Sequence, residues 1–213
     1  MKIAIIGAGN VGTALAGAAT RAGNAVTVSS TSGESARAAA DQTGARAAAS
    51  NRTALEDADL VILAVPYAAV DDVLASVGDA ISGKVVVDAT NPIKPDYSGL
   101  ATGERSGAEE IQAKAPGARV VKAFNTAFAA RQADPRVAGG LRVDGYVAGD
   151  DEAAKTAVLG LAEAIGFNPV DAGGLTMSRH LEGMAWLNIS LQMQHGWAWQ
   201  AGWKLVGPDG DAA

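Results

Sequence analysis

A chain of 213 residues, 48% of them hydrophobic and 19% charged, has enough apolar surface for a sizeable core, which argues against wholesale disorder. Its formal net charge of −6 opposes the positive surface that nucleic acids and anionic membranes require, so neither is an expected partner. With no cysteine, disulfides, thiolate metal sites and a cysteine nucleophile are excluded.

Met1-Lys2 runs directly into an apolar stretch over 3–6 with no leader-like pattern before it, from which a cytoplasmic location is expected. That stretch ends in Gly-Ala-Gly and predicts a buried strand. An alanine-rich helix over 11–22 follows, stopped by Gly23-Asn24. A strand over 25–28, a serine-rich turn, a helix over 34–42 and a weaker strand over 45–48 come next. The run over 60–65 reads as a buried strand closed by Pro66, with a helix over 68–81. Strands over 85–88, 119–123, 143–148 and 168–171 alternate with a short helix over 109–114 and a longer one over 151–165. This alternation predicts an α/β fold, a Rossmann-type doubly wound and mostly parallel sheet covered on both faces.

After Gly173-Gly174 the pattern changes, and all four tryptophans (Trp186, Trp197, Trp199, Trp203) fall between 177 and 205. One or two amphipathic helices packed across the mouth of the sheet are expected there, with a frayed tail at Gly207-Pro208-Asp209-Gly210. The division is therefore a nucleotide-binding domain over 1–172 and a small C-terminal helical segment over 173–213 that closes a cleft.

Gly7-Ala8-Gly9-Asn10-Val11-Gly12 matches G-x-G-x-x-G, a weak pattern alone but a strong one between a strand and a helix. Gly7 serves the tight turn, Gly9 lets the backbone approach a pyrophosphate, and Gly12 lets the helix pack on the strand. The helix amides and dipole favour the phosphate charge. The end of the second strand decides the cofactor. NAD-specific sites usually place a carboxylate there, whereas this chain has Ser29-Ser30-Thr31-Ser32. With no carboxylate to repel a 2′-phosphate, NADP(H) is favoured and NAD(H) remains the alternative. The same serines could instead cap the helix that follows.

Ligands of such sheets lie beyond the carboxyl ends of the strands. Three turns stand there: Ala64-Val65-Pro66, Thr90-Asn91-Pro92-Ile93 and Ala123-Phe124-Asn125-Thr126. Asn91, Asn125 and Thr126 could hydrogen-bond a carboxamide or ribose, or could simply shape their turns. Lys122, ending an apolar strand, needs either the rim or a carboxylate partner, and the ion-paired reading outweighs the catalytic one.

Taken together, the glycine loop, Ala64-Val65-Pro66, Asn91-Pro92-Ile93, Val121-Lys122-Ala123-Phe124-Asn125-Thr126 and Ser178-Arg179-His180-Leu181-Glu182 resemble the NADP oxidoreductases dependent on coenzyme F420, a deazaflavin. The cytosolic reductase domain of six-transmembrane metalloreductases is related to them. The resemblance implies hydride transfer between C4 of the nicotinamide and C5 of the deazaflavin, in a homodimer. It further implies 2′-phosphate contacts at Ser30 and Thr31, the latter standing where the family often has arginine. Nicotinamide contacts would fall on Val65, Pro66 and the backbone from Ala123 to Thr126. No catalytic acid is implied, because hydride transfer between stacked rings needs alignment in a dry cleft. Rival readings keep the nucleotide and change the rest: another acceptor (flavin, ferric chelate, imine or carbonyl) with Lys122, Tyr67, His180 or Asp88 as proton donor, or a non-catalytic sensor.

Overall fold

The computed structural model describes residues 1–207. Its order is β1 (Lys2–Ile6), α1 (Asn10–Arg21), β2 (Ala25–Ser29), α2 (Gly33–Thr43), β3 (Arg46–Ala47), α3 (Asn51–Leu55), β4 (Leu60–Leu63), α4 (Val70–Val77), β5 (Val85–Asp88), α5 (Gly107–Lys114), β6 (Arg119–Ala123), α6 (Ala129–Ala133), β7 (Asp144–Gly149), α7 (Glu152–Ala164), β8 (Asn168–Gly173) and α8 (Ser178–His195). These strands form one sheet in the order β3-β2-β1-β4-β5-β6-β7-β8. All neighbours are parallel except β6 and β7. The expected doubly wound sheet is present, with its order reversing between β1 and β4.

Alternation along the strands supplies two cores. Ile3 and Ile5 of β1 pack on one face with Leu15 and Ala19 of α1 and Val158 and Leu161 of α7. Ala4 and Ile6 face the other way, onto Leu55 of α3, Val70 and Val73 of α4 and Ile111 of α5. Burial on both faces explains why the central strands read as unbroken apolar runs.

Local signals set most element ends. Ser32 caps α2 by accepting from the Ser35 amide, and Gly44 closes that helix in the left-handed region. Ser106 and Glu109 form a reciprocal capping box at the start of α5. Three expectations are corrected. The strand expected over 60–65 ends at Leu63, although the Ala64 amide still donates to Ile6 O. The helix expected over 68–81 is three pieces, a 3-10 turn Tyr67–Ala69, α4, and a second turn Gly78–Ile81. Gly78, at φ +50°, ends the middle piece. Helices α3 and α6 were not expected; each is a short turn between longer elements.

The segment after 173 holds one helix, α8, rather than helix to Leu205. Gly196 at φ +63° ends it, and residues 197–207 return irregularly along the molecule. There the Asp144 amide donates to Trp203 O, and the Asp144 carboxylate receives Lys204 Nζ and the Leu205 amide. Positions 208–210, part of the tail expected to fray, lie outside the described residues. No described helix is long and apolar enough to cross a membrane.

Candidate dinucleotide site and crevice

The β1–α1 turn has the geometry that a diphosphate needs. Gly7 sits at φ +118°, and a methyl group built on it would lie 2.2 Å from Ala64 O. On Gly12 such a methyl would meet Gly7 O at 1.9 Å. Both glycines are therefore required by the packing of strand, turn and helix. Gly9 differs: nothing lies within 4 Å of its added methyl, so the space before it is open. Gly9 is also the N-cap of α1, which has no side-chain cap and no acidic residue in its first turn. Free amides facing open space at a helix N-terminus favour an anion. Ala8 and Val11 are half-buried and Asn10 is exposed beside it.

Ser29, Ser30, Thr31 and Ser32 divide their roles. Ser29 is buried and donates to Asn51 Oδ1 at 2.8 Å, while Asn51 donates in turn to Ser76. Ser32 is the helix cap, so that alternative holds for this residue. Ser30 is half-buried and Thr31 exposed, leaving both on the rim. Arg37, one turn into α2, has a guanidinium nitrogen 3.5 Å from a methyl built on Gly33.

The other half of the rim converges on a crevice of about 110 Å³ between the sheet edge and α8. Its walls include Val11, Asn91, Asn125, Thr126, Ala185 and Ile189. That is well under the roughly 300–1,000 Å³ of ordinary ligand pockets, so it takes only the inner end of a bound molecule. A separate groove of about 610 Å³ starts at Ala8, Gly9 and Asn10 and runs between α1, α2 and α6. The two share Ala129.

Asn91 and Asn125 are first of all each other's partners. Asn91 Nδ2 donates to Asn125 O at 2.9 Å, and Asn125 Nδ2 donates to Asn91 Oδ1 and to Leu181 O, each at 3.0 Å. Asn125 Oδ1 is buried and accepts no hydrogen bond from the protein. Phe124 stands in the left-handed region at φ +65°, a strained backbone of the kind that collects at functional sites. Gln132 on α6 holds this bend by donating to Phe124 O and Ala127 O, each at 2.9 Å. The Ala123 side chain is fully buried, so only its backbone is on offer, and Thr126 is buried too. Val65 is half-buried and Pro66 exposed at the end of β4.

None of the four side chains considered as proton donors is free at the crevice. Lys122 is fully buried and donates to Asp88 Oδ2, Thr90 O and Glu182 Oε1, each at 2.8 Å. All three ammonium protons are thus committed. Burial opposes its charge, but the two carboxylates outweigh burial and hold its pKa above the ordinary value. Glu182 is shifted upward by burial, with Lys122 offsetting part of the shift. Tyr67 donates to Glu110 Oε2 at 2.5 Å, and burial together with that bond raises its pKa. His180 is exposed. Glu182 was missed as a site residue, since nothing local marks a carboxylate whose partner lies 60 residues away.

A family model described as "NADP oxidoreductase coenzyme F420-dependent" matches residues 2–92. The F420-dependent NADP reductase of Methanothermobacter marburgensis is 34% identical over 92% of this chain and 94% of its own. The metalloreductase STEAP3 of Rattus norvegicus is 38% identical over 51% of this chain and 21% of its own length. Among solved structures, a protein of Arthrobacter sp. FB24 provisionally named an F420-dependent NADP-reductase superposes with TM-score 0.84 at 31% identity. It covers 93% of this chain and 96% of its own. An imine reductase from Aspergillus terreus shares the fold at TM-score 0.69 and 24% identity, over 92% of this chain and 63% of its own.

Proposed function

The chain belongs to the family of coenzyme F420-dependent NADP oxidoreductases, and from that membership we propose that its crevice brings NADP(H) and coenzyme F420 together for hydride transfer. The transfer passes between C4 of the nicotinamide and C5 of the deazaflavin. The protein's own residues bind, align and exclude water. One observation carries the reading: the residues lining the crevice are apolar side chains, neutral amides and one hydroxyl, with no ionisable group. Such a wall suits a reaction between two rings and does not suit reduction that needs a protein acid.

The residue assignments extend this reading. Gly7 through Gly12 form the pyrophosphate turn, with the α1 amides as donors and Gly9 as the point of closest approach. Ser30 and Thr31, backed by the Arg37 guanidinium, take the 2′-phosphate, which favours NADP(H) over NAD(H). Val65, Pro66 and the backbone from Ala123 to Thr126 face the nicotinamide. The spare oxygen of Asn125 accepts from its carboxamide, with Asn91 holding Asn125 in place. The segment from residue 173 closes the cleft through α8. The molecule works as a cytoplasmic homodimer, and the outward apolar side chains of α8, Leu187 and Met193, exposed at 50% and 52%, support a paired face.

Mixing purified protein with NADPH and the deazaflavin should bleach the deazaflavin's visible absorbance. Retained NADPH binding without bleaching would overturn the assignment of the second substrate.

A further inference from the structure

We infer that Asp88, Lys122 and Glu182 are positioning residues for the reaction crevice: they lock α8 in one register against the sheet edge and so set the crevice wall. This rests on the function proposed above. The cluster joins three elements through one buried ammonium. Lys122 is the penultimate residue of β6, Asp88 ends β5, and Glu182 comes from the second turn of α8. Lys122 and Asp88 are 0% exposed and Glu182 1%. Glu182 also accepts from the first amides of α5, Gly107 at 3.1 Å and Ala108 at 3.4 Å. Two carboxylates thus share one ammonium and the positive end of a helix, which balances the charge that Lys122 alone leaves. Asp88 Oδ1 takes the Thr90 amide at 2.9 Å, which fixes the turn carrying Asn91. One residue before Glu182, Leu181 O accepts from Asn125, so α8 is tied a second time, to the turn that follows β6.

An apolar trio would hold the helix about as firmly, because removing charges from water is expensive. What the ionic cluster adds is register. Sliding or turning α8 by one residue would leave Glu182 buried without its ammonium, whereas leucines would repack. Glu182, Ala185 and Ile189 follow the i, i+3, i+7 spacing of one helix face, and the latter two line the crevice. Fixing Glu182 therefore fixes that wall. The phosphate-facing part of the glycine loop, at the end of β1, is separated from this network by β4, and only Val11 of the loop shares the crevice wall.

The test compares wild type with Glu182→Gln and with the uncharged triple variant D88N/K122M/E182Q, which carries no buried charge if the single change misfolds. In both, the KM and the directly titrated Kd for the deazaflavin should rise about tenfold, while the Kd for adenosine 2′,5′-bisphosphate, which reaches only the glycine loop and the proposed 2′ site, stays within about twofold. Amide exchange should quicken in α8 and not in β1 or α1. Equal weakening of the deazaflavin and the bisphosphate, or an unchanged deazaflavin Kd, would overturn the inference. A wild type that binds NADPH and no deazaflavin would remove the function and this inference together.

Discussion

At the scale of single residues, the three glycines of the first turn make separable demands. Gly7 and Gly12 have backbone oxygens where a side chain would start, whereas Gly9 has open space and an ordinary φ of −81°. Gly9→Val should therefore leave the melting temperature nearly unchanged and weaken NADPH binding by at least about tenfold, read by nucleotide fluorescence. Gly12→Ala should fail differently, by lowering the melting temperature itself. Arg37→Ala should lower the NADPH-over-NADH preference by about tenfold if its guanidinium backs the 2′-phosphate as proposed. A preference that stays the same would assign the phosphate to Ser30, Thr31 and the α2 amides alone. The glycine roles were legible in the sequence because each depends on neighbours within six positions and on the strand beside them.

At the scale of elements, α5 and α8 are clamped at their N-terminal ends. Glu109 accepts from the Ser106 amide and hydroxyl within its own capping box, and takes two nitrogens of Arg179 at 2.6 and 2.8 Å. Hydrogen bonding by Arg179 holds the Glu109 carboxyl down at about 2, against the usual 4.5. A depressed acid stabilises the fold fully above its unfolded pKa and loses that contribution as protons bind the native state. Glu109→Gln should thus melt a few degrees below wild type at neutral pH. The gap should close as pH falls from about 4.5 to about 2, measured by thermal melts across that range. A gap that persists unchanged at the acid end would remove the electrostatic account. The helices capped by Ser32 and Ser106 were readable from sequence. The short α3 and α6 were not, since one turn of helix carries no periodicity and is held by its neighbours.

At the scale of the whole molecule, α8 is apolar around more of its circumference than the sheet covers. Leu181 and Ala185 are buried, whereas Leu187 and Met193 face outward and Trp197 beyond the helix end is 49% exposed. If the proposed homodimer pairs through this face, replacing Leu187 and Met193 with glutamate should give a monomer in sedimentation experiments, with the monomer still binding NADPH. A wild-type protein that sediments as a monomer at micromolar concentration would remove the paired face. The return of residues 197–207 to Asp144 adds a second layer on the same side, with Trp199 meeting Phe128 edge-on at 5.3 Å.

The sequence alone determined the alternation of strands and helices, the two-faced sheet and the glycine turn, because hydrophobic period and backbone freedom are local properties. It also carried the family resemblance, through short motifs that lie next to those turns. Only the tertiary structure decided where α8 rests, that Lys122 gives all its protons to the protein, and that Asn91 and Asn125 bind each other before anything else. Those facts depend on groups 34 to 60 residues apart. Pairings over such separations are fixed by packing and by the penalty for burying an unpaired charge, and no local pattern records them.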